Sequence, residues 1–141
     1  MPLVVAADGA VVMNAVILED SPAVLITGAN VQFTNTEAGR ILSASASAPA
    51  IRIEGAGATV VNAFGGVIRA FDFTKPAIIG SAFADTIVNE GLIVGTISLG
   101  EGNDSFTQRA QSWESSLDLG GGGDVFRIEA ASAFLALLAE G

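Results

Sequence analysis

Pro22, Pro49 and Pro76 are evenly spaced, and each opens a similar phrase: PAVLITG, PAIRIEG and PAIIGSA. An asparagine follows at the same interval after each, at Asn35, Asn62 and Asn89. A fixed period with several matched positions is an internal repeat, and internal repeats decide architecture first. A unit this short, with two or three strands, cannot bury its own apolar face, so it must lie against the next copy. The opening segment, PLVVAADGAVVMNAVILEDS, reads as a shortened form of the same unit, with Pro2 at its head.

Within the units, apolar and polar residues alternate in Val31-Gln32-Phe33-Thr34, Ile51-Arg52-Ile53-Glu54 and Phe126-Arg127-Ile128-Glu129. A period of two with one apolar face marks a strand, and the intervening Gly, Asn, Asp and Ser supply turns. Half the residues are apolar but only 6% are aromatic, which suits thin, regularly stacked strands. The sequence therefore predicts an all-β fold: a single-stranded, right-handed parallel β-helix (β-solenoid) of about five coils over residues 1–129. Residues 130–141 are expected to form a C-terminal cap helix or secretion-signal-like tail, since Phe134, Leu137 and Leu138 fall at i, i+3 and i+4. In such a stack the repeated asparagines form a turn ladder, with amides that both donate and accept. The prolines, which lack an N–H, suit strand starts or corners.

The absence of Cys and His excludes disulfides, thiolate chemistry, the common general base and ordinary zinc sites. Residues 1–80 hold six acids and four bases (net −2), while residues 81–141 hold nine acids and two bases (net −7). No basic cluster suits nucleic acid, and no apolar run approaches a membrane span. The N-terminus MPLVVAADG lacks the basic start and long apolar stretch of a signal peptide. The acidic half points to cations or to solubility.

Three segments in that half share a form: GSAFADTIVN, GEGNDSFT and GGGGDVFR. Their aspartates, Asp85, Asp104 and Asp124, are again almost evenly spaced. Glycines admit positive φ and let carbonyls turn inward, the aspartate adds an anionic oxygen, and calcium takes six to eight such oxygens. The last two segments resemble the glycine/aspartate repeats of haemolysin-type (RTX) calcium-binding proteins, G-G-x-G-x-D-x-apolar-x. The resemblance implies calcium between stacked turns, at Gly100, Gly102, Asp104, Gly120, Gly122 and Asp124, with Glu101 and Asn103 assisting. The copies here stand roughly twice as far apart as in that family, which leaves at most one column of sites. Phe83 and Ala84 weaken the copy near residue 80. The other reading of these segments is a pair of tight turns between strands.

ATVVNAFGGVI and DTIVNEGLIVGTISLGEGNDSF also resemble coils of bacterial autotransporter passengers and other β-helical surface proteins, over roughly residues 22–107. Together the two resemblances imply a secreted structural β-solenoid, stabilised by calcium, serving in a bacterial surface, matrix or filament, with type I secretion as its export route. Open sheet edges at the ends allow head-to-tail self-association. The rival functions are an adhesin module binding a surface glycan or receptor, and a polysaccharide-active enzyme. For the enzyme, Lys75 and Asp72 have no convergent partners, and Trp113 reads as a packing residue, so no catalytic residue is assigned.

Overall fold

The computed structural model describes residues 1–109 and 116–129. They form sixteen short strands, numbered in chain order, in three parallel sheets. The first sheet stacks β1 (Leu3–Val5), β4 (Val24–Ile26), β7 (Ile51–Ile53), β10 (Pro76–Ile79), β13 (Thr96–Ser98) and β15 (Ser116–Asp118). The second stacks β2 (Val11–Asn14), β5 (Gln32–Asn35), β8 (Thr59–Asn62), β11 (Thr86–Asn89), β14 (Ser105–Gln108) and β16 (Val125–Ile128). The third has β3 (Ile17–Asp20), β6 (Arg40–Ser43), β9 (Val67–Arg69) and β12 (Leu92–Val94). Every strand pairs with its counterpart one coil away, so the chain is a parallel β-solenoid of about five turns. Among the described residues there is no helix long and apolar enough to cross a membrane. The expected C-terminal cap helix and Trp113 lie outside the described residues.

Register turns the sequence repeat into columns. Val24, Ile51 and Ile78 are paired neighbours, which sets Pro22, Pro49 and Pro76 at one equivalent position, two places upstream. Pro2 is not in that column: Leu3 pairs with Val24, so Met1 is the residue level with Pro22. The first coil is thus shorter than the next two, since Leu3 pairs with Val24 but Val24 pairs with Ile51. The coil that opens at β10 is contracted although it still holds β12: Ile78 pairs with Ile97, where one coil earlier Ile51 pairs with Ile78, and the next coil keeps the short length, with Thr96 paired to Ser116 and Phe106 to Phe126. Gly95, at φ 123°, carries the chain from β12 straight into β13. A Cβ there would crowd Ala70 and the Lys75 carbonyl of the preceding coil.

The inward positions fill a narrow core. Phe33, Val60, Ile87 and Phe106 stack from the second sheet, against Ile26, Ile51, Ile53 and Ile97 from the first and Ile41, Ile68 and Ile93 from the third. The Phe106 ring meets Phe126 edge-on at 5.9 Å.

At the last residue of each second-sheet strand through β14, amides replace apolar side chains. Asn14 Nδ2 donates to Asn35 Oδ1 (2.9 Å), Asn35 to Asn62 (3.0 Å) and Asn62 to Asn89 (3.1 Å). Asn89 Nδ2 reaches Gln108 Oε1 at 3.5 Å. The same amides donate to turn carbonyls, Asn35 to Gly39 and Asn62 to Gly66. The ladder expected from Asn35, Asn62 and Asn89 therefore runs one coil further in each direction. All five side chains are buried, so each depends on the chain of bonds for its polar groups.

Replacing Asn62 with Ala removes the acceptor of Asn35 and the donor to Asn89, Gly66 and Leu92. A loss of about 2–4 kcal/mol in urea unfolding is expected, because buried partners are left unsatisfied. Asn14→Ala, which breaks one rung at the first coil, should cost less.

Candidate functional site

The glycine/aspartate turns connect the first sheet to the second in the last coils: residues 99–104 lead from β13 to β14, and residues 119–124 from β15 to β16. Gly100, Gly102, Gly120 and Gly122 all have positive φ, at 87°, 115°, 81° and 126°. Glu101 and Gly121 form a parallel bridge, with the Gly121 N–H donating to the Gly100 carbonyl at 3.1 Å. The Gly123 N–H donates to Asn103 Oδ1 at 2.8 Å. One turn lies flat on the other, as the regular spacing of the aspartates predicts. The contact is close enough that a Cβ on Gly120 would strike the Gly100 carbonyl oxygen, and one on Gly122 the Gly102 carbonyl oxygen. The glycines are required twice over, by backbone conformation and by stacking distance. The copy near residue 80 joins the same stack: a Cβ on Gly102 would come within 2.6 Å of the Phe83 backbone.

The three aspartates form their own column just before the second-sheet strands. The Asp85 N–H donates to Asp104 Oδ1 (2.8 Å), and the Asp104 N–H to Asp124 Oδ1 (2.9 Å). At the head of the column, Asp85 Oδ2 accepts from the Ser81 N–H (2.7 Å) and hydroxyl (3.0 Å). The carboxylates of Asp104 and Asp124 thus accept a backbone N–H from the preceding coil and splice coil to coil. Asp85 and Asp104 are fully buried, at 0% and 1% exposure. Burial pushes the Asp85 carboxyl up to about 6, against the pull of the Ser81 donors and with a smaller push from the Asp104 charge. Asp104 is also raised, first by burial and then by Asp124, with the Asp85 N–H working the other way.

All six predicted residues are brought together. The donor set for a cation is divided. Oδ1 of Asp104 and of Asp124 already holds an N–H, and the Gly100 carbonyl holds Gly121. Asp104 Oδ2 is buried and has no hydrogen-bond partner, and the second oxygen of Asp124 and the Glu101 carboxylate are likewise not used in the hydrogen bonds of the stack. Among the described residues no group of three or more acidic side chains is placed to hold a metal. A calcium site here would therefore draw on Asp104 Oδ2, the second oxygen of Asp124, the Glu101 carboxylate and glycine carbonyls, oxygen donors that calcium accepts readily. Asn103 is committed to Gly123, while the Glu101 carboxylate lies over Gly121. Sequence reasoning missed Ser81, whose hydroxyl caps the turn that Asp85 closes; a serine a few places before an aspartate is the signal that could have found it. Lys75 and Asp72 sit in one corner turn, where Asp72 accepts from Thr74 and its carbonyl from the Lys75 N–H.

Comparison with family models, with curated proteins and with solved structures finds no match to this chain.

Two expectations follow from the turn stack. Gly122→Ala should cost more than about 4 kcal/mol, since it meets a carbonyl as well as an unfavourable φ. Gly9→Ala, at φ 71° with open space around it, should cost only about 1–2 kcal/mol in the same unfolding assay. The second concerns pH. The folded chain holds the Asp85 proton up to about 6, whereas the unfolded chain releases it near 3.8. Asp85 therefore stabilises the fold fully below about 4 and loses that contribution as pH rises through about 6. Thermal melts in chelator should show Asp85→Asn gaining on the parent chain between about pH 4 and pH 7, by roughly 1–3 kcal/mol. An unchanged difference across that range would refute the buried-acid assignment.

Proposed function

We propose that this chain is a structural β-solenoid of the bacterial exterior, a stiff element whose last coils are tightened by calcium. The observation that carries the structural reading is the unbroken stack itself: two polar columns, five amides and three carboxylates, that bind coil to coil. Those columns occupy the interior and its rim with groups that a catalyst would need in a cleft. The calcium reading is supported by the buried, unpartnered Asp104 Oδ2 beside two glycine turns in contact. Calcium there would neutralise a column in which Asp104 and Asp124 repel each other. Extracellular placement, by type I secretion, rests on the resemblance of residues 100–104 and 120–124 to haemolysin-type repeats.

Head-to-tail assembly into a filament has narrower support. Val11, Met13, Val16 and Ile17 of the first coil are exposed beside open strand edges. Yet the amide column does not continue across such a contact, because Ile128 stands where the next amide would be. Backbone pairing alone would have to hold the copies together.

Calcium titration tests the proposal. The melting temperature of the parent chain should rise with calcium by several degrees, by mass action on the folded state. Asp104→Asn removes an anionic oxygen but keeps the Oδ1 acceptor, and should abolish the rise. An equal rise in the variant, or none in the parent chain, would remove calcium from the proposal and leave the turns as structural.

A further inference from the structure

The turns that lead from the second sheet to the third also stack, but they differ in length. Residues 36–39 join β5 to β6 and residues 63–66 join β8 to β9, whereas Glu90 and Gly91 alone join β11 to β12. The Ala63 N–H donates to the Asn35 carbonyl, and one coil later the Glu90 N–H donates to the Asn62 carbonyl, so Glu90 stands level with Ala63. Gly91 lies against Gly66: a Cβ on Gly91 would come within 2.4 Å of the Gly66 carbonyl oxygen. Phe64 and Gly65 therefore have no counterpart in the contracted coil and overhang it. The step leaves a notch of about 300 Å³, lined by Phe64, Val67, Glu90, Leu92 and the glycines of the two turns.

The lining combines apolar walls with one charge. Phe64, at 63% exposure, supplies an aromatic ring, and Val67 and Leu92 supply aliphatic surface. The Gly66 carbonyl already accepts from the Leu92 N–H (3.0 Å) and from Asn62 Nδ2 (3.2 Å). Glu90 is the single polar side chain of the lining. Its Oε2 lies 3.4 Å from Arg109 Nη1, but Arg109 Nε also donates to Glu129 Oε1 at 2.8 Å, so one guanidinium serves two carboxylates. Glu37 stands over Gly65, and Arg40 pairs with Val67 from the coil before. With those two included, the corner holds three acids and two bases, a net −1 beside the exposed ring.

We infer that this notch takes a quaternary ammonium group, the trimethylammonium of a choline-type compound. Such a group spreads its positive charge under a shell of methyl groups. The shell suits Val67 and Leu92, while the charge is drawn to the negative face of the Phe64 ring and to the Glu90 carboxylate. It carries no N–H and needs no hydrogen bond, which matches a lining with one polar side chain. The alternatives fit less well. An anion would meet Glu90 directly. A sugar or a primary ammonium needs several acceptors or donors at once, and the lining side chains offer Glu90 alone. A neutral apolar group would cover the carboxylate without compensating its charge.

The test is titration of the full chain with choline chloride at constant ionic strength, read from the amide NMR signals of Gly65, Gly66 and Gly91. These should shift together and saturate with a Kd on the order of millimolar. The neutral analogue, with tert-butyl in place of trimethylammonium, should bind roughly tenfold more weakly. Phe64→Leu keeps an apolar wall but removes the ring, and Glu90→Gln removes the charge; each should weaken choline about threefold to tenfold. Phe64 is exposed, so its variant serves even if loss of the Arg109 contact unsettles the other. Phosphatidylcholine vesicles, sedimented with the chain, separate the two carriers of the group: binding to them supports a lipid headgroup, and choline binding without it a soluble ligand. Absence of any shift overturns the inference, as does equal binding of the neutral analogue or full affinity in both variants.

Discussion

A buried amide in an apolar core is tolerated only when its bonds are made, and in this chain each amide is satisfied largely by the coil above or below. That condition governs much of what else the solenoid does. A slip of one position in any second-sheet strand would turn its asparagine outward and its neighbours inward, stranding the partners on both sides. The ladder from Asn14 to Asn89 thus fixes register as well as adding bonds. Aliphatic residues at the same positions would bury comfortably, but would fit more than one register.

The two polar columns divide the sheet between them. The amides close the C-terminal ends of the second-sheet strands from the first coil onward. The carboxylates begin at Asp85, in the coil that contains Asn89, and secure the N-terminal ends of the later strands. The handover coincides with the contraction of the coil. In the contracted coils the amide contact stretches to 3.5 Å at Gln108, whose Nε2 is buried without a partner. The last coils therefore lean on carboxylates, and that choice has an electrostatic cost the amides do not carry. Burial and mutual repulsion raise Asp85 and Asp104, so these coils hold more latent charge than the first ones.

What was legible in the sequence followed from constant spacing. Pro22, Pro49 and Pro76, and Asn35, Asn62 and Asn89, share one period, and both sets form columns. Asn14 was hidden because Pro2 looks like the first member of the proline series and is not; at the matching interval from Pro2 stands Ala15. Gln108 was hidden because the coil length changes and the residue type changes with it. The aspartate spacing gave the stacked turns correctly. It could not give the direction of the carboxylates, because the N–H groups they accept belong to the neighbouring coil. Calcium ligands and backbone acceptors carry the same sequence signature, and only the stack separates the two uses.

The fold accounts for the inside of the second sheet and for its ends, but not for its outside. Inward residues must be apolar and must match the coil above; outward residues need only tolerate extended backbone. Arg52, placed outward in β7 between Leu25 and Ile79, shows that a charged side chain is accepted on such a surface in this molecule. Nothing in the packing of β5, β8 or β11 would forbid the same, whereas Thr107 in β14 is buried. Strand propensity favours Thr and Val, yet it acts equally on the outward positions of the first and third sheets, where Arg52, Arg40, Glu19 and Arg69 stand. The uncharged outward rows of β5, β8 and β11 are therefore a property the solenoid permits without requiring.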